Sequence, residues 1–111
     1  MAQQFVAQQL AETAAGKTIA AVCNVAGGVR SYADQAVRAS GSVALNLSEG
    51  YGRRNRDKQH HYTIAYASAR EASSALRILA AANAIGEEQS VEIEVLLDRV
   101  RAMTWRLIHR R

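Results

Sequence analysis

Apolar residues return every three or four positions through four separate stretches of this chain, and glycines mark the breaks between them. That spacing is the period of one helix face, so the pattern predicts four α-helices. No proline interrupts any stretch, alanine fills many of the apolar positions, and aromatic residues make up only 5% of the chain. A sheet would draw on β-branched and aromatic clusters, and those are sparse here. At 111 residues the chain has the length of one domain, 1–111, with room for a single modest core.

The first stretch runs from Gln3 to Ala26, with Val6, Leu10, Thr13, Ala14, Ile19, Val22, Cys23 and Ala26 on its apolar stripe, and ends at Gly27-Gly28. Ser31, with Asp34 three residues on, predicts the N-cap of a second helix whose stripe is Ala36, Ser40, Val43 and Leu47 and whose end lies near Gly50 or Gly52. Asn55 is placed to cap a third helix from Arg56 to about Ile85. One face of that helix carries Tyr62, Ala65, Tyr66, Ala69, Ser73, Leu76 and Ala80, and a second carries Ile64, Glu71, Ala75, Ile78, Ala82 and Ile85. A helix apolar on two sides must be covered on two sides, by its own bundle or by another subunit. Gly86 stops it, and Ser90 is the expected cap of a fourth helix bearing Ile93, Leu96, Leu97, Val100, Met103 and Leu107, with Trp105 off the stripe. Short connections between four helices predict an all-α, up-down-up-down four-helix bundle.

The chemistry-bearing residues exclude more than they offer. A di-metal bundle core needs glutamate followed three residues later by histidine on two helices, and no glutamate here has that partner. His60 and His61 are adjacent, so on a helix they point about 100° apart and cannot hold one ion from one face. No metal and no cofactor is expected. Gly50-Tyr51-Gly52 precedes Arg53-Arg54 but lacks the lysine-serine/threonine ending and the preceding strand of a phosphate loop. Cys23, the one cysteine, lies on the first stripe, where a buried structural thiol is expected, and no serine has an activating context. The chain reads as a non-enzyme.

A lone cysteine and an N-terminus without a basic start and apolar signal segment point to the cytoplasm, and no apolar run approaches the roughly 20 residues that span a bilayer. The formal charge of +4 is uneven, with the excess around the central turn and at the C-terminus. Arg53, Arg54, Arg56 and Lys58 fall within six residues, and Arg110 and Arg111 close the chain. For one monomer such a run is a solvated turn; repeated around a ring of subunits it becomes a field able to hold a phosphate backbone.

The block Arg38-Ala39-Ser40-Gly41-Ser42-Val43-Ala44-Leu45-Asn46-Leu47-Ser48-Glu49-Gly50-Tyr51-Gly52-Arg53 resembles the signature of the four-helix-bundle proteins first known as open reading frames within intervening sequences of bacterial large-subunit ribosomal RNA. A second block, Ala65-Tyr66-Ala67-Ser68-Ala69-Arg70-Glu71, matches that family's Ala-x-Gly-Ser-x-x-Glu with alanine in place of glycine. The resemblance covers about Ala36 to Leu79; the first stretch departs from the family, which carries more aromatics and a proline there. It implies a short bundle assembled as a homopentamer. It also implies kinship with the accessory variability determinants of diversity-generating retroelements, basic pentamers that bind nucleic acid and a reverse transcriptase. The family name describes where a gene lies and carries no ribosomal role.

Two expectations follow for the signature. Arg38, Ser42, Asn46, Glu49, Gly50, Ser68 and Glu71 are read as structural: Asn46 and Glu49 to satisfy backbone donors at the start of the third helix, and Ser42, Ala67 and Ser68 to let the helices touch. Counting outward from a turn near Arg54 brings Arg38 level with about Arg70 and Glu71, which predicts an Arg38 to Glu71 ion pair; the alternative is that the two side chains point to solvent on different faces. Functionally, the leading expectation is a homo-oligomer that binds RNA or DNA through Arg53, Arg54, Arg56, Lys58, Arg110 and Arg111, with a reverse transcriptase as a further possible partner and no membrane. The alternative is a protein-interaction module whose basic turn is incidental.

Overall fold

The computed structural model describes residues 2–110 and places four helices along one axis: α1 (Ala2–Val22), α2 (Arg30–Tyr51), α3 (Asn55–Ala81) and α4 (Glu87–His109), with a 3₁₀ turn at Gly27–Val29. Helices of 21 to 27 residues span roughly 32 to 40 Å at 1.5 Å per residue, in a body 44 Å long and about half as wide. Each helix therefore runs the length of the molecule and returns through a short turn. Contacts join α1 to α2, α2 to α3, α3 to α4 and α4 to α1, which closes the up-down-up-down ring. Two cross-helix contacts, Lys17 with Glu92 at 2.9 Å and Gln3 with Arg110 at 3.4 Å, show α1 and α4 antiparallel, and Arg77 meets Glu94 at 2.6 Å between α3 and α4.

The helix ends depart from expectation in instructive ways. α2 begins at Arg30, one residue before Ser31, and no side chain caps it. Arg30 instead reaches back to the Val25 carbonyl at 3.0 Å and pairs with Asp34 at 3.1 Å. α3 stops at Ala81, because Asn83 takes a left-handed φ of 60° and Ala84 N–H closes onto the Leu79 carbonyl at 2.9 Å. That is the glycine-type helix stop performed by asparagine. Gly86 is then free to be the N-cap of α4, four residues ahead of Ser90, which is buried in the core. Asn55, expected as a cap, is the first residue of α3 at φ 54°, and the Arg54 carbonyl takes the opening hydrogen bonds.

The largest correction concerns α1. Its buried stripe is Ala7, Ala11, Ala14, Thr18 and Val22, while Phe5 is 61% and Ile19 53% exposed and Cys23 lies at the surface. Small residues on the inner face leave the core volume to Val43 and Leu47 of α2 and to Tyr62, Leu76, Leu79, Ile93, Leu97, Val100 and Leu107 of α3 and α4. Thr18 satisfies its hydroxyl on the Ala14 carbonyl at 2.7 Å, so its burial leaves no orphan. The first stripe of α3 is absorbed inside the monomer, whereas the second is covered only at Ala75 and Ile85, with Ile64 partly buried and Glu71, Ile78 and Ala82 exposed.

Candidate nucleic-acid interface

The helices α2 and α3 make the most extensive contact of the bundle, and the signature residues lie along it. Asn46 donates from Nδ2 to the Ser42 carbonyl at 2.9 Å and to Ser42 Oγ at 3.1 Å. Its Oδ1 is left to accept from His61 Nδ1 at 2.9 Å, which puts a proton on that ring nitrogen. Ser68 Oγ donates to Ser42 Oγ at 2.9 Å. These four side chains form a polar ladder across the seam and set its register. Asn46 was expected to cap backbone donors; it bridges side chains instead, because it sits a full turn short of the end of α2. His61 went unrecognised as a partner, since its contact spans fifteen positions; the signal available was Ser42 and Asn46 one turn apart on α2.

Gly50 explains itself through Tyr62. A Cβ on Gly50 would stand 2.7 Å from Tyr62 Cε1 and 2.9 Å from Cδ1, so only glycine lets the ring lie against α2. Tyr62 is 1% exposed and its hydroxyl has no hydrogen-bond partner among the described residues. Burial pushes the phenol above its ordinary ionisation range, against the opposing pull of the Arg110 charge. That influence of Arg110 on a residue near the start of α3 shows how the end of α4 lies beside the α2–α3 turn.

The turn itself is clasped. Arg53 donates to Glu49 at 2.7 Å and to Asp57 at 3.0 Å, tying the last turn of α2 to the first turn of α3. Its guanidinium is held even more firmly protonated by the Glu49 hydrogen bond first, then the nearby Asp57 charge. Glu49 therefore binds a side chain and not the backbone donors expected of it. Arg54 and Arg56 are exposed and Lys58 half-exposed, and none of the three has a carboxylate partner among the described residues. Arg110 joins this end through a 3.4 Å hydrogen bond to Gln3; Arg111 lies outside the described residues.

The Ser42–Ser68 contact, carried across to about Met103 of α4 by the register of the Arg77–Glu94 pair, defines a level that divides the bundle. On the turn side, the described residues carry six cations (Arg53, Arg54, Arg56, Lys58, Arg106 and Arg110) against Glu49 and Asp57. On the other side seven cations face eight acids, five of them in α4 at Glu87, Glu88, Glu92, Glu94 and Asp98. The molecule is polar in charge along its length, and Arg106 belongs to the basic end although the sequence reading passed over it.

The Arg38 to Glu71 ion pair does not form. The seam contacts place the two residues at nearly the same height, as the counting expected, but Arg38 lines a shallow groove between α1 and α2 with Ile19, Cys23 and Asp34. Glu71 is exposed on α3 and absent from the ion pairs of the described residues. Register was right and rotation wrong. Ala67 is likewise outside the seam, exposed on the α3–α4 side. Among the described residues no three of His, Cys, Asp and Glu gather to hold a metal ion, and no helix is long and apolar enough to cross a membrane.

A model of the family described as 23S rRNA-intervening sequence protein matches residues 6–106. Among solved structures, the chain is similar to a protein with unknown function from the S23 ribosomal protein family of Bacteroides thetaiotaomicron. The TM-score is 0.83 over 93% of this chain and 98% of that one, at 18% identity, a likeness of fold alone. No curated relative matches the chain.

Proposed function

Because the chain belongs to the 23S rRNA-intervening sequence protein family, we propose that it is a non-enzymatic, homo-oligomeric protein that holds RNA or DNA on the basic end of its bundle, as a nucleic-acid binder or scaffold. The observation that carries this reading is the charge polarity. Arg54, Arg56 and Lys58 stand on and just after a rigid turn without carboxylate partners, and Arg106 and Arg110 stand at the same end. Guanidinium and ammonium groups fixed on helix termini suit a phosphate backbone, which they contact without reading its bases. The same chemistry selects no protein partner; a reverse transcriptase, like the kinship with accessory variability determinants, rests on the resemblance of the two sequence blocks.

Self-association draws support from large apolar side chains left outside the core: Phe5 and Ile19 on α1, Leu45 on α2, and Val91 and Val95 one turn apart on α4. Five subunits is the number the resemblance implies. A ring would repeat the basic end and multiply its field. The same exposed side chains are what a pure protein-interaction module would use, which makes that the second reading.

Anisotropy of fluorescein-labelled RNA and DNA oligonucleotides, titrated with protein from about 50 to 200 mM salt, separates the two. A nucleic-acid binder gives affinity that falls steeply and linearly on a log-log plot against salt. No binding at the lowest salt would leave only the interaction module. Light scattering, read against the 12.1 kDa subunit, reports the assembly.

A further inference from the structure

We propose that the outer groove between α3 and α4, centred on Trp105, is a base-stacking site for single-stranded nucleic acid, separate from the basic turn. Trp105 is the chain's one tryptophan and is 50% exposed. Its ring stacks on His109, with centroids 3.9 Å apart and planes inclined by 27°, and His109 is itself anchored by Nδ1 to the Trp105 carbonyl at 2.8 Å. The indole is thus held in one orientation, with one side against imidazole and half its surface toward solvent. Two shallow depressions flank it and share Tyr66 as a wall; Arg101 and Arg106 line one, and Arg70 lines the other.

The composition of this surface selects its occupant. A fixed, exposed indole offers a face on which any base can stack, and three guanidinium groups around it offer contacts to the connecting phosphates. Asp98 is the carboxylate of these depressions, and Arg101 pairs with it at 3.0 Å; Arg70 and Arg106 have no carboxylate partner among the described residues. A second copy of the chain meeting this groove by a two-fold contact would bring arginine against arginine, whereas a polyanion neutralises them. The groove is also continuous with the basic end. Arg56, Thr63 and Arg70 follow one another at sevenfold spacing on one face of α3, covering roughly 21 Å at the helical rise. A strand gripped at the turn by its phosphates would run along this face and lay bases on Trp105.

The proposal rests on the polyanion reading above, and its test keeps the two apart. With one tryptophan in the chain, intrinsic fluorescence reports this site directly. Twelve-nucleotide oligo(rU) and oligo(rA), each labelled for anisotropy, are titrated into the full chain, its Trp105→Ala and Trp105→Phe variants, and the Arg54→Ala/Arg56→Ala/Lys58→Ala variant, with circular dichroism confirming helicity. The expected result is saturable quenching of the wild-type indole, about tenfold weaker binding for Trp105→Ala, and binding restored to within about threefold by Trp105→Phe. Binding without quenching, unchanged in Trp105→Ala, overturns this site and leaves the polyanion reading standing. No binding by any form overturns both. An indole shielded from iodide in the free protein, together with a lower mass for Trp105→Ala in light scattering, shows the groove covered by another copy and also overturns it.

Discussion

The α2–α3 seam and the turn that caps it are neighbours in sequence and opposites in construction. Within the seam the side chains answer one another, the Tyr62 hydroxyl excepted: Asn46, His61, Ser42 and Ser68 bond one another, and Gly50 gives the Tyr62 ring its space. At the turn, Arg53 alone is clasped, while Arg54, Arg56 and Lys58 have no carboxylate among the described residues. The residues that make the chain recognisable are therefore those that hold two helices in register. The residues available to a partner are the ones beside them whose side chains make no ion pair among the described residues. Stability and binding should separate along the same line.

The contrast breaks first at Gly50. Helix propensity alone would make Gly50→Ala stabilising by about 1 kcal/mol; the clash with the buried Tyr62 ring should reverse that to a net loss of about 2 kcal/mol in urea unfolding. A gain in stability would mean the seam is loose. Asn46→Ala comes next: it removes the centre of the ladder and leaves His61 Nδ1 and Ser42 without it, which should cost about 1 kcal/mol, with helicity intact.

Tyr62→Phe tests the opposite expectation inside the same seam. Removing a buried hydroxyl that has no partner should leave stability at pH 7 within about 1 kcal/mol of the parent. Its signature is at high pH. Burial raises the folded phenol above the ordinary value of 10.0, so the unfolded chain loses its proton first; stability is complete below about pH 10 and falls as pH rises through the folded value. That portion of the alkaline loss should vanish in Tyr62→Phe, and equal pH profiles would contradict the burial argument. The smallest change belongs to Arg53→Ala, whose ion pairs are exposed: a slight lowering of Tm that salt erases. A large, salt-resistant drop would make the clasp part of the fold.

How much of this was legible in the chain follows from the range of each interaction. Four helices and their order were readable because three-four spacing is local. The rotation of α1 was not: Val6, Leu10 and Ile19 and Ala7, Ala11 and Ala14 both repeat with helical spacing, and size favours the first while close packing selects the second. The Glu49–Arg53–Asp57 clasp was open to reading, since its members are four residues apart. The His61–Asn46 bond and the Gly50–Tyr62 contact depend on which sides of two helices meet, which no single helix encodes. Arg38 and Glu71 make the same point, correct in height and wrong in facing. The cationic run was visible at once, but that Arg106 and Arg110 share its end required the topology.

The separation of binding from stability is tested most directly by one paired measurement on Arg54→Ala/Arg56→Ala/Lys58→Ala. Thermal melting and RNA affinity are recorded on the same preparation, beside the parent chain, at a matched series of salt concentrations from about 50 to 200 mM. The expected outcome is a Tm unchanged within error, nucleic-acid affinity reduced at least tenfold, about the effect of losing three phosphate contacts, and a log-log salt slope shallower by roughly three. An unchanged affinity, or an affinity that falls only in step with a lowered Tm, would contradict the assignment of this end of the bundle to a polyanion.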